Sequence, residues 1–317
     1  MSNLSAPHFH NEEAAYAYVE ARVWPEGPVC PHCGCFGRIY ELKGKSTRIG
    51  VRKCGDCRKP FTVKVGTIFE ASHVPMRHWL QAMYLMAASK KGVSANQLHR
   101  TLGCTLKTAW FLAHRIREAM RDGSLAPFGQ GGATVEADET YYGPVANPTM
   151  TRTDGKTLRR FKNKGPANKR AIIALVERGG RVRSFHVKHA TKEVVTKIVT
   201  DNVAKEAVFY TDESRLYRDA HMHVALHDSV RHTGGEYVRG DVHSNTVEGV
   251  FSIFKRGMRG IYQHCSEKHL HRYLAEFDFR YSNRVALGVN DTARTDTLLA
   301  GVVGKRLTYQ TAREQVS

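Results

Sequence analysis

Three acidic positions, far apart in the chain, are of the types and in the settings that hold divalent metal. Asp138 lies in "TVEADETYYG" (134–143), Asp212 ends "VFYTD" (208–212), and Glu248 follows in "HSNTVEGVFSIFKRG" (243–257). Two strand carboxylates side by side, with a third from a helix, hold two divalent ions about 3.5–4 Å apart, one activating an attacking hydroxyl and one stabilising a leaving oxygen. Oxygen ligands of this kind suit Mg2+, or Mn2+ in its place, and the chemistry is that of a phosphodiester. Each acid also has an ordinary reading. Asp212 precedes "ESRLYRDA" and has the type of a helix N-cap. Glu136 shares a strand face with Asp138 and Glu139 adjoins it, so which of the three faces a metal stays open. Asn245 and Glu248 stand three apart ahead of an apolar-periodic run, the spacing of a capping box that merely closes a helix.

The segment after Asn245 carries a further pattern. Val247, Phe251, Phe254 and Met258 form one apolar stripe at helical spacing, and Glu248, Ser252, Lys255 and Arg259 form a separate polar one. Glu248 and Lys255 thus share a face two turns apart, about 10 Å along the axis. A carboxylate at one end and cations trailing along the same face suit a metal followed by phosphate. A second metal signal is independent of the acids. Cys30, Cys33, Cys54 and Cys57 make C-x2-C-x20-C-x2-C, the spacing of a four-thiolate structural Zn2+ site. Cys35 is a weaker candidate ligand, and Cys104 and Cys265 read as ordinary buried cysteines.

Positioning these groups takes several elements, and 317 residues are enough for two or three domains. The 48 Lys and Arg against 30 Asp and Glu give a net charge of +18, which favours a polyanionic partner through counterion release, DNA or RNA first. No apolar run approaches the roughly 18 residues needed to span a bilayer, and no signal segment opens the chain. A cytoplasmic location is expected, and cysteines there point to metal rather than disulfides.

Residues 1–70 read as a short helix and a zinc ribbon. Residues 71–128 read as helices, the last two separated by Gly103 and capped by Ser94 and Thr105, a helix-turn-helix. Lys107, His114, Arg115 and Arg117 on its second helix are candidates to face phosphates or bases. Residues 129–290 alternate strands and helices around a hairpin at Gly179-Gly180, an α/β arrangement with a mixed sheet. Within them, 152–170 carries eight Lys or Arg and one Asp, a basic loop suited to gripping phosphate. Residues 291–317 read as a polar tail.

The order "WPEGPVCPHCG", "CGDCRKPFTVKVGTIFEASHVPMRHWLQAMYLM", "VEADETYYG", "YTDES" and "HSNTVEGVFSIFKRGMRGIYQH" resembles the bacterial insertion-sequence transposases of the ISXO-like group over roughly residues 10–285. The resemblance implies a zinc ribbon and helix-turn-helix joined to an RNase H-like DDE catalytic domain. It implies binding to the element's ends, then Mg2+-dependent nicking and joining to target DNA by a homodimer or larger assembly. It places Asp138 and Asp212 as the first two acids, Glu248 or Asn245 as the third, and Lys255 as the downstream lysine. Glu248 is the preferred third ligand, since a carboxylate neutralises metal charge better than an amide. Two rival expectations are a DNA-binding regulator that has lost catalysis and an RNase H-like nuclease that cuts without joining.

Overall fold

The structure is a computed structural model describing residues 3–121, 123, 126–145, 149–151, 157–159 and 168–308. The chain divides into two compact units, one built from residues up to 121 and from 284 onward, the other from 122–283.

The first unit opens with α1 (Glu12–Val23), whose N-cap Asn11 accepts the Ala14 N–H at 2.9 Å. Three short antiparallel strands follow, β1 (Ile39–Glu41), β2 (Arg52–Cys54) and β3 (Pro60–Phe61). Then come α2 (Met76–Ala88), α3 (Ala95–Leu102) and α4 (Leu106–Ala119). Ser94 and Thr105 cap α3 and α4 as expected, at 3.1 Å to the N–H groups of Gln97 and Thr108. Gly103 closes α3 at φ 66°, a left-handed conformation that glycine adopts without a Cβ clash. The N-terminus of α2 has no cap of its own. Glu12 supplies one, accepting the Met76 and Arg77 N–H groups at 2.6 and 3.2 Å.

The second unit is built on a five-stranded sheet. Its strands are β4 (Thr134–Pro144), β7 (Lys169–Glu177), β8 (Val182–Val187), β9 (Val208–Asp212) and β10 (Leu226–Val230), in spatial order β10-β9-β4-β7-β8. A separate two-stranded piece, β5 (Thr149–Thr151) and β6 (Thr157–Arg159), lies between β4 and β7 in the chain. The rest of the expected basic loop lies outside the described residues. The β4, β7 and β8 strands are antiparallel neighbours, while β9 and β10 run parallel to β4. This mixed sheet is compatible with an RNase H-like fold.

Both faces of the sheet are covered, so β7 reads as a continuous apolar run. Ile173 and Leu175 face α5 (Lys192–Asn202), whose Val195, Ile198 and Val199 complete that core. Ile172, Ala174 and Val176 face α6 (Asn245–Gly257) and α7 (Leu270–Ser282). Val247, Phe251, Phe254 and Met258, the expected apolar stripe, are all in this second core.

Residues 291–308 depart from the polar tail read from composition. They form α8 (Asp291–Ala300) and an ordered extension in the first unit. Leu298, Leu299 and Val302 are fully buried, and Tyr18 on α1 donates to Asp296 at 2.7 Å. Arg294 and Thr295 are buried with them, and Arg294 donates to the Ala87 carbonyl of α2 at 3.1 Å.

Candidate active site

The parallel pairing of β9 with β4 runs Thr134↔Val208, Val135↔Phe209 and Glu136↔Tyr210 and then stops. Two residues beyond the last pair, the same register puts Asp138 opposite Asp212. Both carboxylates therefore stand where the strands have parted and no ladder bond fills the gap. Carboxylate oxygens of Asp138, Glu139 and Asp212 all lie within 4.8 Å of one another. Each acid has one oxygen engaged locally. The Glu139 N–H donates to Asp138 at 2.7 Å, the Ser214 N–H to Asp212 at 3.0 Å, and the Ser214 hydroxyl to Glu139 at 3.2 Å. Asp212 is not the helix N-cap that its setting suggests: Ser214 caps the short helix Arg215–Tyr217, and the bond from the Ser214 N–H leaves the second Asp212 oxygen free.

Crowding three acids in a partly buried place costs their ionisation. Burial, then Asp212 and Glu139, push Asp138 up to about 8. Burial likewise raises Glu139 and Asp212. Burial and mutual repulsion thus favour the neutral form of each.

The helix α6 closes the other wall. Asp138, Glu139 and Thr140 share a cleft of about 400 Å³ with Glu248, Ser252, Lys255, Arg256 and Arg259. The whole polar stripe therefore lines it. The capping-box reading of Asn245 and Glu248 is not what the helix uses. It begins at Asn245, with Ser244 before it, and the Ser244 hydroxyl donates to Glu248 at 3.0 Å. Its first N–H groups go instead to Glu136 on β4. This fully buried carboxylate accepts from Thr246 N–H at 2.8 Å, Val247 N–H at 3.1 Å and the Thr246 hydroxyl at 2.7 Å. Arg178 donates to the same carboxylate at 2.6 Å and also to the carbonyl of His243 at 3.1 Å. Of the acids on β4, Glu136 is thus committed to the helix, and Asp138 and Glu139 to the cleft.

The cysteines form a second centre, in the first unit. Sulfurs of Cys30, Cys33, Cys54 and Cys57 lie within 4.8 Å of one another. The Cys30–Cys57 and Cys33–Cys54 pairs are each 3.6 Å apart. That is far beyond a disulfide and near the edge of about 3.8 Å expected of a tetrahedron with Zn–S bonds of about 2.3 Å. The donor set fits structural zinc.

Residues 130–282 match the ISXO2-like transposase domain, and residues 10–60 match the transposase zinc-ribbon domain. The two matches account for well over half of the chain. The chain carries both domains of an ISXO2-like transposase. A relative described as an uncharacterized protein in transposable element ISH50 of Halobacterium salinarum is 29% identical over 267 residues, 81% of this chain and 86% of the relative.

Two groups at this site have no distinct signal in the sequence. Glu136 is indistinguishable there from Asp138, because two residues on one strand face have the same pattern. His232 stands just past Val230, which pairs with Asp212, and its Nε2 is 4.0 Å from Glu248. Only the parallel register of β10 brings it there. On α4, Lys107 is exposed, but His114, Arg115 and Arg117 are buried, contrary to their expected outward role. Arg115 donates to the carbonyls of Leu307 at 3.0 Å and Glu70 at 2.6 Å. Its charge closes backbone ends inside the first unit. Cys104 and Cys265 are half-buried rather than buried. Among the described residues, no helix is long and apolar enough to cross a membrane.

Proposed function

We propose that this chain is an insertion-sequence transposase that binds its element's terminal repeats and carries out Mg2+-dependent DNA nicking and strand transfer. The observation carrying this reading is the cleft in which Asp138, Glu139 and Glu248 face Lys255, Arg256 and Arg259. Acids alone suit a cation; acids beside a row of cations suit a cation together with a phosphodiester. Asp138, Asp212 and Glu248 would hold Mg2+, which when bound would supply the charge that favours attack by a hydroxyl and departure of an oxygen.

The protein's own groups do the rest. Asp138 and Asp212 present their free oxygens from the parted strands, and Asp138 gives up the proton that burial makes it keep. Glu248 closes the site from α6, with Asn245 one turn earlier as the alternative ligand. Lys255 and Arg259, one turn apart, hold backbone phosphate away from the metal. Glu136 fixes the end of α6 against β4, so the acid on the helix keeps its distance from the acids on the strands. The zinc ribbon and the α3–α4 pair bind the element ends, with Lys107 exposed at the start of α4. Because two ends must be brought together, the working form is a homodimer or larger assembly, acting in the cytoplasm.

The test uses purified full-length protein, DNA carrying the element ends and Mg2+, comparing wild type with Glu248→Gln. Nicking and joining by the wild type, both lost in a variant with an unchanged unfolding midpoint, is the expected result. Nicking without joining would make the protein an RNase H-like nuclease. Binding of the ends without any Mg2+-dependent nicking would make it a regulator.

A further inference from the structure

The three-stranded ribbon has two unlike faces. Pairing of Ile39 with Cys54, of Glu41 with Arg52, and of Arg52 in turn with Phe61 defines the inner one. There Cys54 and Phe61 are buried and Arg52 reaches Glu20. Alternation along the strands puts Arg38, Tyr40, Lys53 and Pro60 on the other face, with Tyr40 directly opposite Lys53 and Lys53 opposite Pro60. All four are exposed, Tyr40 by 56%. Phe36, in the turn that leads into this face, is 81% exposed. Scattered single apolar side chains need no explanation, but two exposed aromatic rings four residues apart among cations do.

The surroundings say what the face would take. Residues 36–59 contain eight Lys or Arg and two acids, so the ribbon is a cationic surface. The Tyr40 ring packs where Gly55 leaves space, since a Cβ there would lie 3.1 Å from its Cε2. Glycine thus seats the ring on the knuckle while much of it remains open. Open aromatic rings beside cations bind unpaired nucleobases: the rings stack on base faces that a duplex hides, and the cations follow the phosphates. Duplex DNA offers the phosphates but not the faces.

We infer that the outer face of the ribbon, with Phe36 and Tyr40 as stacking rings and Arg38 and Lys53 as phosphate contacts, binds unpaired bases of a DNA strand. The inference rests on the DNA-directed reading above and adds the strand form that this face selects. Such a platform would hold a strand end that has frayed from its complement.

The experiment measures fluorescence anisotropy of a labelled thymidine 20-mer and of a duplex of equal length, with zinc-loaded full-length protein and no added Mg2+. Phe36→Ala and Tyr40→Ala should each weaken 20-mer binding about tenfold, and duplex binding much less. Tyr40→Phe should restore it. Lys53→Gln should lower the salt slope by about one. Zinc content per chain, unchanged in all variants, shows that the ribbon is intact. The inference is overturned if the wild type does not bind the 20-mer, or if the alanine variants bind it as the wild type does. It is also overturned if they lose only self-association by light scattering, which would make the face a contact between copies. Nicking assays on the same preparations separate the two readings. A wild type that nicks, with alanine variants of full affinity, removes this inference alone; a wild type that never nicks but shows the tenfold losses removes the catalytic one alone.

Discussion

The carboxylate of Glu136 and the backbone N–H of Thr246 meet at 2.8 Å although 110 residues separate them in the chain. Through that bond and its neighbours, the strand that carries Asp138 caps the helix that carries Glu248. Hydrogen bonds to a charged group contribute about 1.5–3 kcal/mol each, and leaving Arg178 and the helix end without their acceptor costs more than the bonds alone. Glu136→Ala is expected to lower stability by about 3 kcal/mol or more in urea unfolding. Glu136→Gln should lose less, because one amide oxygen still accepts. If Glu136 were itself a metal ligand, Glu136→Gln would abolish the Mg2+-induced rise in melting temperature, whereas the capping role leaves that rise in place.

The elevated Asp138 sets a pH dependence. Its proton is held to about 8 in the folded protein, against an ordinary value of 3.8, with burial the largest cause. Between those limits the folded state binds more protons than the unfolded one, so this group's contribution to stability declines as pH rises. A divalent cation needs the deprotonated form and relieves the repulsion. The melting-temperature gain from Mg2+ should therefore be larger at pH 8 than at pH 6, read by scanning fluorimetry. A gain independent of pH would place the cation elsewhere.

Glu248 and Asn245 make separable predictions. Glu248 lines the cleft, whereas Asn245 is exposed at the first position of α6. Glu248→Gln should reduce strand nicking by more than about 100-fold, the upper end for a group that only supports a metal ligand. Asn245→Ala should reduce it less. The reverse order, from single-turnover rates, would make Asn245 the third ligand.

Zinc removal should act on one part of the molecule. The ribbon's own core is small, with Cys30, Cys54 and Phe61 buried and Trp24 packed against them. Metal binding at such sites contributes about 10–16 kcal/mol, more than this core supplies. Cys54→Ser or a strong chelator should loosen the ribbon, seen as rapid proteolysis between residues 30 and 60. The sheet of the second unit should stay protected. Uniform proteolysis of both units would contradict this.

Much of this arrangement was legible in residue patterns. The cysteine spacing, the caps at Ser94 and Thr105, the hairpin at Gly179 and the two stripes of α6 are local or periodic features, and each appears in the structure. What escaped depends on contacts distant in sequence. Glu136 acquires its partner from α6, and His232 comes within 4.0 Å of Glu248 just beyond the β9–β10 pairing. Arg115 looked like a surface cation because its acceptors are carbonyls, which leave no trace in composition. The helix α8 was hidden for a related reason: two of its four buried residues are Arg294 and Thr295, polar types that read as surface.

The docking of α8 also makes the first unit depend on two distant stretches of chain. The Ile68 N–H is bonded to the Val302 carbonyl and the Gly304 N–H to that of Gly66, so residues on either side of the whole second unit, 122–283, close one body. A single cut between residues 283 and 291 would leave the strands and helices of the acidic cleft covalently whole while severing α8 from them. Loss of α8 would then loosen the part proposed to grip the element's ends and spare the part proposed to cut.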